Sequence, residues 1–460
     1  MNVADERSKG GIIMNRATCG QIDEGMLNIY ADSSHADNIA WMKNVPYIVI
    51  GNSGNKRILG IQQARASLGL QPPIVLTYLE LLEWKRRGRH LSEMPELMAV
   101  HANHSASTRG PVLRLDAPGD HFGVEMELIA LGAEENIGDD SLLPMKGILA
   151  TGRMLSAEQA RSLQPHPGRI WYPAQWFKGY CRLLAWLRSE MLLLWPEHHW
   201  INDPVDIPVM FDKRCTSARL SSAGVRVPQS LHGHLLSSSA QTYRADVVIP
   251  GSGEELRESL QKAGMHRAFI KLFCGSAASG VIAYQFHPVT GKEIAQTTIG
   301  MEQSRGELVF YNSGRLHKYT DAASIGRLLD WLCHEGVHVE RWIPKASVHG
   351  KAFDVRQLVH RGKACHAVLR ASRTPITNLH LRNERLRPEE AGLANPILQK
   401  VAATAEQALA AFPHSTTAGV DVLVPTDGSA PYVVDMNPYG DLLYHVRYEG
   451  MDTYTWEMAH

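Results

Sequence analysis

The sequence has no excess charge of either sign, few cysteines and no long apolar run. Its 47 basic and 47 acidic side chains give a formal net charge of zero, so it lacks the basic surface typical of nucleic-acid-binding proteins. The six cysteines include no CxxC pair, which disfavours a disulfide framework or a zinc site and favours a reducing compartment. No apolar run approaches the roughly 18 residues that cross a bilayer, and charges occupy the first residues, where a signal peptide is apolar. We therefore expect a cytoplasmic protein that binds neither nucleic acid nor membrane.

The length of 460 residues predicts more than one unit, because single cores stop growing near about 250–300 residues. Residues 1–44 show no sustained periodicity and are interpreted as an extension. Residues 45–205 are predicted to form an α/β domain with a helical insert. A proline-punctuated segment then marks the start of a second domain, 206–460, which divides into first and lid subdomains (206–340) and a C-terminal subdomain (341–460).

The first domain opens with a strand, a glycine-containing turn and a helix. Tyr47–Ile50 begins the strand, GNSGNKR forms the turn, and Ile58–Leu68 has helical apolar spacing. This succession is typical of an α/β unit. The turn matches neither a Walker loop nor GxGxxG, so a turn that faces a substrate cleft is favoured over a nucleotide site.

A hairpin near the C-terminus carries oxygen-bearing side chains. Two β-rich runs, Val420–Val424 and Tyr432–Asp435, flank a segment rich in Pro, Gly, Asp and Ser, a pattern that predicts an antiparallel pair with a long loop. Side chains alternate across a strand, so Asp435 and Asn437 point to one face, where Asp421 could join them. Such ligands suit magnesium; the alternative is a solvated hairpin with acids at its strand ends.

Further polar positions lie on earlier strands. The loop GSAASG (Gly275–Gly280) has small residues between glycines that let backbone N–H groups approach an anion, and Lys271 precedes it. An ordinary flexible hairpin is the alternative. Asp354 and Arg356 lie two apart on one strand face, and Arg370 lies on the next strand. These charges matter chemically only where they face a cleft.

The order of these motifs resembles the ATP-grasp superfamily, and within it the RimK-type glutamate ligases and bacterial glutathione synthetase. The motifs that carry the resemblance are DK at a helix start, FIK before the Gly/Ser/Ala loop, VERWI, DVRQLV, NLH, GVDVLV and DMNP. They span roughly residues 206–440. The resemblance implies a mixed α+β and α/β protein: an ATP-grasp fold, in which two α+β subdomains clamp ATP, preceded by an N-terminal α/β domain.

The resemblance also implies which residues bind the nucleotide. They comprise two lysines for the α- and β-phosphates, a flexible lid loop, an acceptor for the adenine amino group, the backbone at the adenine edge, and a residue on the ribose side. In that order the residues are Lys213 and Lys271; Gly275, Ser276, Ser279 and Gly280; Glu340; Trp342 and Ile343; and Asp354.

A second implied set serves the reaction. Arg356 and Arg370 match arginines that face the γ-phosphate and the acyl phosphate, and Asn378 matches an asparagine of the next loop. The implied ligands of magnesium, or of manganese in its place, are Asp421, Asp435 and Asn437.

Three departures from the family pattern stand out. Asp435 replaces a longer Glu, Ile376 stands where an Arg is frequent, and Arg382 and Asn383 stand where glycines follow the loop asparagine. These changes concern the acceptor pocket more than the ATP site.

The function implied is ATP-dependent, ADP-forming ligation of a carboxylate to an amine through an acyl phosphate. The acceptor is a small amino-acid-like molecule or a peptide, and a homodimer is one assembly that the sequence allows. No cysteine nucleophile is needed, so Cys274 beside the lid loop is interpreted as a bystander. Two alternatives stay open: a kinase-like phosphotransferase, and a nucleotide-binding scaffold without turnover.

Overall fold

The structure is a computed structural model that describes residues 35–104, 110–136, 138–145, 152–231, 250–275, 279–304, 306–377 and 383–460. Ser276 and Asn378, both predicted site residues, lie outside these ranges, as do Arg382 and most of the predicted extension.

The first unit is built on a parallel sheet. Its elements are, in chain order, α1 (His35–Lys43), β1 (Tyr47–Gly51), α2 (Lys56–Ser67), β2 (Ile74–Thr77), α3 (Tyr78–Arg86), α4 (Pro95–His104), β3 (Val112–Leu115), α5 (Phe122–Leu131), α6 (Ala157–Arg161), α7 (Pro173–Leu194) and β4 (His199–Trp200). The strand order is β2-β1-β3-β4, and every pairing is parallel. Tyr47–Gly51 is buried throughout, as expected of a strand covered on both faces.

The long helix α7 packs against this unit along an apolar face. Leu183, Leu187 and Met191 are fully buried with the strands in one core, which agrees with their helical spacing. Gly179 allows the close approach of α5, because a Cβ there would lie 1.8 Å from the Leu128 carbonyl oxygen. None of the helices within the described ranges is long and apolar enough to cross a membrane.

Two antiparallel sheets follow. The elements are α8 (Asp206–Phe211), α9 (Lys213–Ser222), α10 (Gly253–Lys262), β5 (Arg267–Leu272), β6 (Val281–Phe286), β7 (Glu293–Ser304), β8 (Glu307–Tyr319), α11 (Ala322–Glu335), β9 (Val337–Arg341), β10 (Ser347–Val348), β11 (Lys351–His360), β12 (Lys363–Ser372), β13 (Glu384–Leu386), α12 (Asn395–Ala410), β14 (Thr417–Leu423), β15 (Tyr432–Asn437) and α13 (Thr453–Ala459). One sheet has the order β8-β7-β6-β5-β9, and the other has the order β13-β12-β11-β14-β15, with β10 paired to β11.

Each antiparallel sheet is covered by helices on one face. Leu256 of α10 and Leu328 of α11 are fully buried against the five-stranded sheet, and Val401 and Ala405 of α12 are buried against the six-stranded sheet. The other face of each sheet is left to border a cleft. A parallel α/β unit followed by two α+β units is the mixed fold class predicted from the sequence, and that prediction is confirmed.

The C-terminal helix α13 returns to the first unit. It packs against α1 and α2, and Glu457 forms a buried ion pair with Arg114 of β3 at 2.5 Å. Burial raises the pKa of Glu457, while Arg114 opposes that rise. Helix α13 therefore connects the parallel sheet with the six-stranded sheet. The predicted domain boundary between residues 205 and 206 stays a prediction.

Candidate active site

A cleft lies between the two antiparallel sheets. Residues of β5, β6 and β9 line one side, and residues of β11, β12, β14 and β15 line the other. Many of the residues predicted to bind the nucleotide or to act in the reaction border it: Lys213, Lys271, Gly275, Glu340, Ile343, Asp354, Arg370, Asp421 and Asp435.

The predicted C-terminal hairpin forms one corner of the cleft. Strands β14 and β15 pair so that Asp421 lies opposite Asp435 and Gly419 lies opposite Asn437. Directly opposite residues in an antiparallel pair share a face, so the two carboxylates are neighbours, as the alternation predicted. Asn437 does not line the cleft; its Oδ1 accepts a hydrogen bond from the Tyr439 backbone N–H at 3.2 Å.

Lys213 reaches the hairpin from the start of α9. Asp212 caps that helix, and the Lys213 backbone N–H donates to the Phe273 carbonyl at 2.8 Å. The Lys213 Nζ then donates to both oxygens of Asp435, at 2.8 and 3.0 Å. Burial by itself would raise the pKa of Asp435, but Lys213 and Lys271 hold it below its usual value.

A second ion pair between a lysine and a carboxylate lies on the five-stranded sheet. The Lys271 Nζ is 2.5 Å from Glu340 Oε1, and His338 Nε2 lies 3.2 Å from Glu340 Oε2. Burial opposes ionisation of Glu340, yet Lys271 and His338 outweigh it and lower the pKa of Glu340 to about 2. His338 was not among the predicted site residues, although alternation places it on the same strand face as Glu340.

The six-stranded sheet holds an alternating row of charges. Asp354 lies opposite Arg370, and Arg356 lies opposite Asp421. Arg370 is 2.7 Å from Asp354 and 2.9 Å from Asp421. Arg356 lies 2.5 Å from Asp421 and 3.1 Å from Asp441. Each guanidinium is thus held between two carboxylates, which fixes its orientation.

Lys345 is a site residue that sequence reasoning missed. Its Nζ is 3.0 Å from Asp354 Oδ2 and also contacts Thr377. Burial lowers the pKa of Lys345, and the charge of Asp354 partly offsets this effect. For Asp354, burial favours a higher pKa, but Arg370 and Lys345 outweigh it and lower the pKa to about 2. Lys345 lies in a loop and belongs to no periodic pattern, so its charge is the only signal in the sequence that could have indicated a site residue.

Apolar side chains also line the cleft. Phe269, Val281, Ile343 and Leu423 line it, together with Ile376, which is buried against Phe269. Ile376 is one of the departures from the family pattern, and its connection with the acceptor pocket stays a prediction.

Several predicted residues lie beside the cleft rather than on it. Trp342 packs on Phe269 with ring centroids 5.2 Å apart. Gly280 has a φ of 68°, a conformation that favours glycine. Cys274 is buried, which raises the pKa of its thiol well above the usual range and agrees with an unreactive role.

The hairpin residues fit a magnesium site. Asp421 and Asp435 present hard oxygen donors from neighbouring strands, and magnesium is usually held by one or two carboxylates plus substrate phosphates. Within the described ranges no group of three or more His, Cys, Asp or Glu side chains could hold a metal by itself. A magnesium ion held by this small donor set would therefore need substrate oxygens to complete its coordination.

Comparisons with known proteins give matches only among solved structures. No protein-family model matches the sequence, and no curated protein matches it. The ATP-grasp ligase PsnB, complexed with the precursor peptide PsnA2 and AMPPNP, is 14% identical with a TM-score of 0.42 over 87% of this chain and 90% of that one. The D-cycloserine synthetase DcsG is 13% identical with a TM-score of 0.45 over 90% and 98%.

A third similar structure is N5-carboxyaminoimidazole synthase from Aspergillus clavatus in complex with ADP and 5-aminoimidazole ribonucleotide. It is 10% identical, with a TM-score of 0.40 over 86% of this chain and 70% of that one.

Proposed function

We propose that this chain is an ATP-dependent carboxylate–amine ligase that forms an amide through an acyl phosphate and releases ADP. The observation that carries the proposal is the convergence of Lys213, Lys271, Arg370, Asp421 and Asp435 on one cleft between two sheets. These residues come from distant parts of the chain, and the cleft gives their charges a common target.

The cleft suits a nucleotide because both apolar and charged side chains line it. Phe269 and Ile376, which pack on each other, can bury a purine base. Lys213 and Lys271 can each donate to phosphate oxygens. In this structure both ammonium groups pair with carboxylates, so a bound triphosphate would compete for them.

The arginines suit transfer of the γ-phosphoryl group. A substrate carboxylate attacks the γ-phosphorus, the bond to the β-phosphate oxygen breaks, and ADP leaves. Arg356 and Arg370 stabilise the charge on the transferring group and then on the acyl phosphate. Asp421 and Asp435 would hold magnesium, which neutralises phosphate charge when bound; the predicted third ligand, Asn437, lies off the cleft.

Amide formation completes the reaction. An amine attacks the acyl carbon, the phosphate leaves, and the amine loses a proton to solvent or to phosphate. The charged residues do not bond covalently to the substrate in this scheme; they orient it and stabilise charge. Cytoplasmic location and a homodimer stay predictions from the sequence.

Trapping the acyl phosphate tests the proposal. The protein is incubated with ATP, magnesium, hydroxylamine and a panel of carboxylic acids, and ADP and hydroxamate are measured. Equal amounts of acid-dependent ADP and hydroxamate are expected. A phosphotransferase would release ADP with hydroxyl acceptors and form no hydroxamate, and a scaffold would bind ATP without ADP release. Failure to bind ATP in the presence of magnesium would contradict all three functions.

A matched pair of variants links the chemistry to the cleft. Arg370→Lys keeps a positive charge but loses the two-carboxylate geometry, so hydroxamate formation is expected to fall by about 100-fold or more. Arg387→Ala removes an arginine whose side chain is 61% exposed and is expected to retain full activity.

A further inference from the structure

Arg385 lies next to the reaction residues without belonging to the predicted site. It is on β13, the edge strand of the six-stranded sheet, directly opposite Arg370 on β12. Arg370 in turn lies opposite Asp354 on β11. Two guanidinium groups therefore point to the same face on neighbouring strands, an arrangement that is unfavourable unless an anion lies near both.

The guanidinium of Arg385 is incompletely paired. Its Nη2 is buried and has no hydrogen-bond partner. Burial lowers the pKa of Arg385, and Asp441 is the carboxylate that opposes this effect. Asp441 is already 3.1 Å from Arg356, so one carboxylate serves two arginines.

The contrast with the neighbouring arginines lies in their ion pairs. Arg356 and Arg370 each lie between two carboxylates. The Nε of Arg356 also makes no hydrogen bond, but it is 2.5 Å from Asp421, whereas Arg385 has a buried N–H group that is left unbonded. A buried unsatisfied donor costs free energy. That cost is removed when an anionic ligand accepts from it.

We propose that Arg385 binds a second anionic group of the acid substrate, next to the carboxylate that is activated at Arg370. The inference rests on the proposed ligase function. Side chains directly opposite in an antiparallel pair have Cβ atoms about 5 Å apart, so the two anionic groups must be close together. The substrate class is therefore a short dicarboxylic acid or an acidic amino acid, free or at the end of a peptide.

Matched acids test this inference in the hydroxamate assay. Succinate is compared with butyrate, and L-glutamate with L-norvaline, each pair having the same number of carbon atoms. The unaltered protein is expected to have a higher kcat/KM for the acid with two carboxylates in each pair. Equal kcat/KM within both pairs would overturn the inference and leave the proposed ligase function intact, whereas hydroxamate from no acid would overturn both.

Variants of Arg385 separate binding from a structural role. In Arg385→Ala, KM for the dicarboxylic acids is expected to rise about 10- to 100-fold, while kcat and the KM for the monocarboxylic acids stay within about twofold of their values in the unaltered protein. Arg385→Lys should restore part of the lost affinity, because it keeps the charge but not the planar donor pair. Arg387→Ala, two residues on and exposed, serves as the control.

A general fall in activity would contradict the inference. If Arg385→Ala lowers kcat equally for both classes of acid, Arg385 supports the position of Asp441 or Arg356 rather than binding substrate. Thermal unfolding of the same variants shows whether that fall comes from loss of folded protein.

Discussion

The two walls of the cleft are built from sheets of the same kind but carry different chemistry. The wall formed by β5, β6 and β9 has Phe269 and Val281 with one ion pair, Lys271 and Glu340. The wall formed by β11, β12, β14 and β15 carries linked ion pairs that involve Asp354, Arg356, Arg370 and Asp421. On the proposed function, a base would bury apolar area against the first wall, from which Lys271 would also reach the phosphates. The reacting groups would need the charges of the second wall.

This contrast also concerns stability. Buried ion pairs are costly to desolvate, and loss of one partner leaves an uncompensated charge. The charged wall is therefore expected to be the more sensitive to substitution, although it adds little net stability. On the proposed function, its arginines are held in place for chemistry, and the cost is the desolvation of buried charge.

The largest effect is expected when Arg370 is removed. Arg370→Ala leaves Asp354 and Asp421 without their shared partner, and both carboxylates are buried. The free energy of unfolding should fall by about 3–5 kcal/mol, measured as a lower urea midpoint. The double variant Arg370→Ala, Asp354→Asn should recover part of the loss, and Arg387→Ala should show none. An unchanged midpoint would show that Arg370 does not neutralise these carboxylates.

Removal of Lys271 tests the ion pair between Lys271 and Glu340 on the wall formed by β5, β6 and β9. Lys271→Ala is expected to weaken ATP binding about 10- to 100-fold, because a phosphate partner is lost and Glu340 is left close to the phosphates. Titration calorimetry with ATP and magnesium measures the affinity. Lys262→Ala is the control, since that lysine side chain is 79% exposed. Arg370→Lys is expected to keep ATP affinity, and an equal loss in both variants would contradict the division of roles.

The sequence predicted the charged wall better than the apolar one. Alternation predicted that Asp435 and Asn437 share a face, where Asp421 could join them if the strands paired, and a spacing of two predicted that Asp354 and Arg356 share a face. The structure pairs the two strands with Asp421 opposite Asp435. Such patterns are local, so a sequence reveals them. Which carboxylate pairs with which arginine depends on strand register across the sheet, which the sequence does not encode locally.

The apolar residues of the cleft were predicted less completely. The sequences around Phe269 and Ile376 are typical of a hydrophobic core. No local pattern distinguishes an apolar residue that lines a cleft from one inside the core. Lys345 was not predicted because it lies in a loop, and the path of that loop, not a periodic pattern, places it beside Asp354. Arg385 lies on a strand of three residues, too short to give a pattern.

A pH series compares the cleft carboxylates with an acid outside the walls. Glu335, at the end of α11, accepts from the Ala174 backbone N–H at 3.4 Å; burial raises the pKa of Glu335 to about 7, opposed by that hydrogen bond. Because the folded pKa lies above the unfolded value, stability falls as pH rises between about 4.5 and 7. Glu340 and Asp354, whose pKa values are about 2, have the opposite sign and lose stabilisation as pH falls from about 4 towards 2.

Glu335→Gln isolates the first of these effects. The variant should match the unaltered protein near pH 4 and be more stable near pH 8 by about 1–3 kcal/mol, a range reduced because Glu335 keeps some solvent exposure. Urea unfolding at several pH values measures the difference, and Glu158→Gln, at an exposed position, is the control. A constant difference across the pH range would show that Glu335 does not titrate with folding.

The smallest effect is expected for Phe269→Leu. The dependence of its loss of ATP affinity on salt concentration distinguishes an apolar contact from an ionic one. Phe269 is 8% exposed and packs on Trp342; the shorter side chain keeps an apolar surface but loses ring contact, so ATP affinity should fall by about threefold to tenfold. Because this loss is apolar, it should be the same at about 0.05 and 0.5 M salt, whereas the loss in Lys271→Ala should shrink as salt screens the charges. Phe310→Leu is the control, since Phe310 is also 8% exposed but stacks on Trp331 away from the cleft. If both losses shrink equally with salt, Phe269 and Lys271 do not make separate apolar and ionic contacts with ATP.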